Sequence, residues 1–140
     1  MRPDRLFLHD IVDAADAIVE HIAGRDEAAV SADRTARAAI LYELAVIGEA
    51  AARVSADLRQ RQPEIPWPEI IGFRNVVTHE YFGLSWPIIW ITATEDVPNL
   101  RGRIEAILRD ESAEGAFCAD AESAPGWRPG SQQALLSSTD

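Results

Sequence analysis

Cysteine is nearly absent from this chain of 140 residues, with Cys118 standing alone. A single thiol rules out an internal disulfide and a cysteine-rich zinc site, and it leans the chain towards a reducing compartment. Apolar runs are short, and none approaches the roughly 18 residues of a membrane span. The opening Met1-Arg2-Pro3-Asp4-Arg5 soon meets Asp10, Asp13 and Asp16, which leaves no signal-peptide core. Lysine is missing altogether, so all 13 basic residues are arginine, against 23 acidic ones and a formal charge of −10. Such an excess repels a phosphate backbone and argues against a broad, non-specific nucleic-acid surface, while leaving room for a small local arginine site. With 47% apolar content, enough for a real core, the expectation is a soluble, cytoplasmic, single-domain protein.

What is present reads as helix throughout. Leu8, Ile11, Ala15, Ile18 and Ile22 step by three and four, and Gly24 is placed to end that helix. After a short charged link, Ser31 or Asp33 can cap a longer second helix with the stripe Ile40, Leu44, Ile47, Ala51, Val54, Leu58, unbroken over nearly three heptads. A second face of small residues, Ala38, Ala45, Gly48, Ala52 and Ala56, predicts a central helix with two packing sides. Pro63, Pro66 and Pro68 then interrupt, and Pro66-Trp67-Pro68 suits the first turn of a third helix running to about Phe82, with Gly83 as its stop. Ser85 caps a fourth segment with the stripe Trp86, Trp90, Ala93, Val97, Leu100, Ile104, Ile107. The stripe keeps phase across Pro98, as one kinked helix or two abutting ones would.

The fold expected is therefore all-α, an antiparallel bundle of four to five helices with a kinked last helix. The helical domain spans residues 1–110. Residues 111–140 are rich in Ser, Ala, Gly and Pro and carry five acidic residues and one arginine, which reads as a disordered C-terminal tail.

Chemistry gathers in the third helix. At about 100° per residue its apolar arc holds Val77, Ile70, Trp67 and Ile71, and Arg74 falls in the middle of it. An arginine aimed at a core is costly unless a carboxylate or phosphate meets it. The plain alternative is a guanidinium that reaches the edge or pairs with a neighbouring Glu. Tyr81 projects about 20° from Arg74, and His79 about 140° from it but only about 40° from Asn75, which can orient the imidazole. His9, His21 and His79 are too scattered for a metal motif, and no phosphate-binding glycine loop or Ser or Cys nucleophile signature occurs. Neither a metal nor a cofactor is implied.

Arg74-x4-His79-x-Tyr81 matches the RX4HXY motif and resembles the HepT-like proteins of the HEPN ribonuclease superfamily. Ile47-Gly48-Glu49-Ala50-Ala51 is similar to the family's IGEA helix, and Pro63 to Trp67 followed by Ile70 to Asn75 follows its PEIPW…IIG-x-RN stretch. Tyr81-Phe82-Gly83 and the later Trp90…Asp96-Val97-Pro98…Leu100 fit as well, so that the resemblance covers residues of about 5–109 and not the tail. It implies a HEPN bundle forming a two-fold homodimer with the motif helices facing each other. It further implies a metal-independent endoribonuclease acting on RNA, with the motif residues Arg74 and His79 catalytic and Tyr81 supporting them, to which the helix projection adds Asn75. Such a protein is the toxin of a toxin–antitoxin pair. Its partner, an MNT-type nucleotidyltransferase antitoxin, transfers AMP to the motif tyrosine, here Tyr81.

The chemistry also stands on its own. Attack of a ribose 2′-hydroxyl on its phosphate needs a base, an acid and a cation. An imidazole titrating near pH 6.5 serves as either of the first two, and an arginine fork holds the phosphate oxygens. One protomer offers one such histidine, whereas a symmetric dimer offers two. Glu49 can neutralise Arg74, but it projects away from the main stripe of its own helix and is left outside the catalytic set. Two other readings remain, a non-catalytic HEPN binding module for the nucleotidyltransferase and a helical oligomerisation domain. RNA cleavage separates them from a toxin enzyme.

Overall fold

The computed structural model describes residues 3–79, 83 and 85–112, and of Val76, Thr78, His79, Glu111 and Ser112 the backbone alone. Four long helices build the bundle: α1 (Asp4–Ile22), α3 (Arg34–Arg53), α5 (Trp67–His79) and α7 (Val97–Ser112). Three six-residue helices, α2 (Glu27–Ala32), α4 (Ala56–Arg61) and α6 (Trp86–Ile91), fill the connections. No strand occurs among the described residues, and the expected all-α bundle is what is found. α3 packs against α1 on one side and α5 on the other, and α7 packs on α1. The start of α1 meets the end of α3, since Asp4 accepts from the Ser55 backbone N–H and hydroxyl at 2.9 and 2.6 Å, so the two helices run antiparallel.

Each boundary has a local cause. Gly24 leaves α1 at φ 74°, a left-handed turn that glycine takes without strain. The charged link expected after it is instead α2, because Asp26 caps it by accepting from Ala29 N–H. Of the two candidate caps for the long second helix, Asp33 holds the position and accepts from Ala36 N–H at 3.1 Å. Ser31 lies inside α2. Arg25 donates to Asp33 at 2.9 Å and to two carbonyls, those of His21 and Ala29, tying the end of α1 to the start of α3.

The stripe from Ile40 to Leu58 is buried along its whole length, but the helix carrying it is not continuous. Val54 is extended at ψ 140°, and Ser55 restarts the chain by accepting from Leu58 N–H. Hydrophobic phase survives the break because the restart keeps Leu58 on the core side, which is why spacing alone could not reveal it. The small-residue face is a packing surface only in part: Gly48 is buried against α5, while Ala38 and Ala56 are exposed.

The last helical stretch runs through a five-residue π-helical segment, Thr92–Asp96, between α6 and α7. Val97 N–H reaches back to Thr92 C=O, and Thr94 Oγ1 donates to Trp90 C=O at 2.7 Å. Pro98 cannot donate, and its ring crowds the carbonyl four residues earlier, so a widened turn just before it lets the rod continue. The expected kink at Pro98 thus takes the form of a wide turn, with Ala93, Val97, Leu100, Ile104 and Ile107 all buried. Ser85 does stand at the start of α6, without a side-chain capping bond. Arg37 of α3 lies over the Trp86 ring, 5.4 Å from its centroid. The expected stop at Gly83 has undescribed residues on both sides, and of the expected tail, 111–140, Glu111 and Ser112 instead continue α7 while the rest lies outside the described residues. Among the described residues no helix is long and apolar enough to cross a membrane.

Candidate active site

α5 begins in a proline turn that fixes its orientation. Ile70 N–H donates to Pro66 C=O at 3.1 Å, and Pro68 sits in the first turn, where its missing N–H removes no helical bond. The Trp67 ring is buried, and its indole N–H donates to Gln62 C=O at 3.1 Å. Trp67, Ile70, Phe73 and Val77 form the buried face. This face is turned from the one expected: Phe73, passed over in the sequence, is 1% exposed, while Ile71 is half-buried. Arg74 therefore stands at the edge of the apolar arc and not at its middle.

Two features of α3 receive it. Gly48 lies so close that a Cβ there would stand 2.5 Å from the Arg74 Cβ, so glycine lets the two helices touch at this point. One residue on, Glu49 offers Oε1 to Arg74 Nη1 and Oε2 to Arg53 Nε, the latter at 2.7 Å. The Glu49 carboxyl is held below its usual value by the Arg53 hydrogen bond first and the Arg74 bond second, with burial opposing. Arg74 Nη2 also donates to Asn75 Oδ1 at 3.3 Å. Asn75, expected to orient His79, thus turns its carbonyl oxygen to Arg74. Of the two expected fates for Arg74, pairing with a glutamate is the one observed.

His79 is the last described residue of α5, five positions after Arg74. Its imidazole, and the whole of Tyr81, lie outside the described residues. Arg74, Glu49 and Arg53 line a groove of about 340 Å³ together with Tyr42, Ala45, Val46 and Ala50 of α3 and Phe7 and Asp10 of α1. Sequence reasoning missed this wall of α3. Its signal was present in the steps of three and four through Tyr42, Val46, Glu49 and Arg53, a stripe of mixed polarity opposite the core stripe. Among the described residues, no group of three His, Cys, Asp or Glu side chains gathers to hold a metal ion.

A family model described as Ribonuclease HepT-like matches residues 11–107. The chain is also similar to "Putative RNase MJ1380" of Methanocaldococcus jannaschii, at 32% identity over 106 residues, 76% of this chain and 97% of the relative. It resembles "Probable ribonuclease HepT" of Thermococcus cleftensis at 32% over 108 residues, 77% of this chain and 98% of that one. A third relative, "Putative RNase TTE0752" of Caldanaerobacter subterraneus, is 31% identical over 111 residues, 79% and 99% of the two chains. No solved structure matches the chain significantly. The chain belongs to the HepT-like ribonuclease family.

Proposed function

We propose that this protein is a metal-independent endoribonuclease, the toxin of a toxin–antitoxin pair, with Arg74 and His79 as its catalytic residues. The observation that carries the reading is Arg74 itself: a cation on the edge of an apolar helix face, held half-exposed by Glu49, at the family's spacing from His79. In the reaction the ribose 2′-oxygen bonds phosphorus while the bond to the 5′-oxygen breaks, leaving a cyclic phosphate and a 5′-hydroxyl. One imidazole takes the 2′ proton, and the other supplies the proton that the leaving oxygen needs. A two-fold homodimer supplies both from its two copies of His79. The Arg74 fork binds the phosphate and stabilises the charge that grows on it.

The partner in this reading is an MNT-type nucleotidyltransferase antitoxin. It transfers AMP from ATP to the Tyr81 oxygen and releases pyrophosphate. An adenylyl group two residues beyond His79 adds bulk and negative charge to the cleft and keeps RNA out. A gain of one AMP in intact mass after incubation with partner and ATP, absent from Tyr81→Phe, is the expected signature.

A second reading is supported by the same ion pair, because an arginine satisfied by a glutamate is also what a non-catalytic binding module would keep. Cleavage of a mixed RNA pool in EDTA decides between them. Wild type is expected to cut, and Arg74→Ala and His79→Ala are expected to leave the pool intact. Equal cutting by His79→Ala would overturn the catalytic assignment.

A further inference from the structure

The groove lined by Arg74 has two unlike parts. One is cationic, where Arg53 and Arg74 share Glu49. A floor of Ala50, Val46 and Ala45 leads from there along α3 to Tyr42, and Phe7 and Asp10 of α1 line the same groove. Tyr42 is 65% exposed, the most exposed of the large apolar side chains among the described residues. Exposed aromatics beside an arginine are the parts from which proteins build platforms for unpaired bases.

Resting on the ribonuclease reading above, we propose that this groove is the subsite for an unpaired nucleobase flanking the phosphate held by Arg74, with the Tyr42 ring as its stacking platform. The spacing suits the role. Seven residues separate Tyr42 from Glu49 along α3, about 10 Å of helix, which is the reach from one phosphate to the base of an adjoining nucleotide. The ion pairing suits it too. Glu49 gives one oxygen to each arginine, so when a phosphate takes Arg74 the carboxylate keeps its bond to Arg53.

The test uses the full chain with His79→Ala to prevent cleavage. Binding of a short fluorescein-labelled oligoadenylate, and of matching strands each with one abasic ribose, is followed by anisotropy. Tyr42→Ala is expected to weaken binding roughly tenfold, and Tyr42→Trp to preserve it. One abasic position should cost about as much in the Tyr42 protein, and nothing further once Tyr42 is alanine. Unchanged binding in Tyr42→Ala overturns the subsite, and so does weakened binding accompanied by a smaller assembly in sedimentation, which would assign the groove to a second copy of the chain. Arg74→Ala keeps the two levels apart. If it weakens binding and Tyr42→Ala does not, the subsite alone fails. If neither these proteins nor active wild type engages any RNA, the ribonuclease reading fails and takes the subsite with it.

Discussion

A Cβ on Gly48 would stand 2.5 Å from the Cβ of Arg74 and 3.2 Å from its Cα and amide nitrogen. Those atoms belong to the backbone and first carbon of α5, so no flexible chain end can swing aside. Gly48→Ala gains up to about 1 kcal/mol of helix propensity in α3. Forcing the helices apart costs about 1–3 kcal/mol, and the overlap wins. The expected result is a lower thermal midpoint by circular dichroism together with slower RNA cleavage, as Arg74 is carried away from Glu49. A variant that gained stability would show that the two helices separate freely at this point.

Glu49 should register in the pH dependence of stability. Its carboxyl is depressed on folding, by Arg53 chiefly and Arg74 next. Such a group stabilises the fold above its unfolded pKa, about 4.3, and the contribution is lost as pH falls through the lower folded value. Because the side chain is half-exposed, the effect is at most about 1 kcal/mol. Urea midpoints of Glu49→Gln should therefore fall below wild type at neutral pH, with the gap closing below about pH 4. A gap independent of pH would assign the loss to packing.

The junction of α3 and α4 depends on a pair of side chains far apart in sequence. Ser55 Oγ accepts from Leu58 N–H at 3.2 Å and donates to Asp4 at 2.6 Å. Ser55→Ala should cost about 1 kcal/mol as a lost cap. Asp4→Ala removes the partner of both Ser55 donors, so the double variant should be less unstable than the sum, by at least about 0.5 kcal/mol. Strict additivity in chemical denaturation would show that the two residues act separately.

Phe73 anchors the motif helix at 1% exposure. Phe73→Ala should cost about 3–5 kcal/mol in unfolding free energy, and Phe73→Leu much less. The leucine variant should still cleave RNA, since it keeps the face that sets the angle of Arg74. Loss of cleavage with stability retained would give the ring a part in substrate binding.

Most of the bundle was legible because its signals are periodic. The core stripes of α1, α3 and α7 are buried where the spacing placed them except at Ile22, Trp86 and Trp90, which are partly buried against the core, and Gly24 ends α1 as its position suggested. The break at Val54 was not legible, because a helix restarted in phase has the same apolar spacing as an unbroken one. α2 was missed since six residues are too few to show a period, although Asp26 is an ordinary capping residue. At the site, the motif spacing drew attention to Arg74, but its partner could not be chosen. Which of several glutamates meets an arginine depends on how two helices approach, and here one glycine sets that approach.

The bonds between Asp4 and Ser55 close a lap of chain 51 residues long that lies wholly on the N-terminal side of α5. Gly48, Glu49 and Arg53, which receive Arg74, all belong to that lap. Synthesis proceeds from the N-terminus, so the seat exists as polypeptide before the residue that fills it has left the ribosome. A nascent chain stalled after α4 carries the complete seat and none of the Arg-x4-His motif. In a chain of a ribonuclease family, the motif helix is thus synthesised after every residue that receives it.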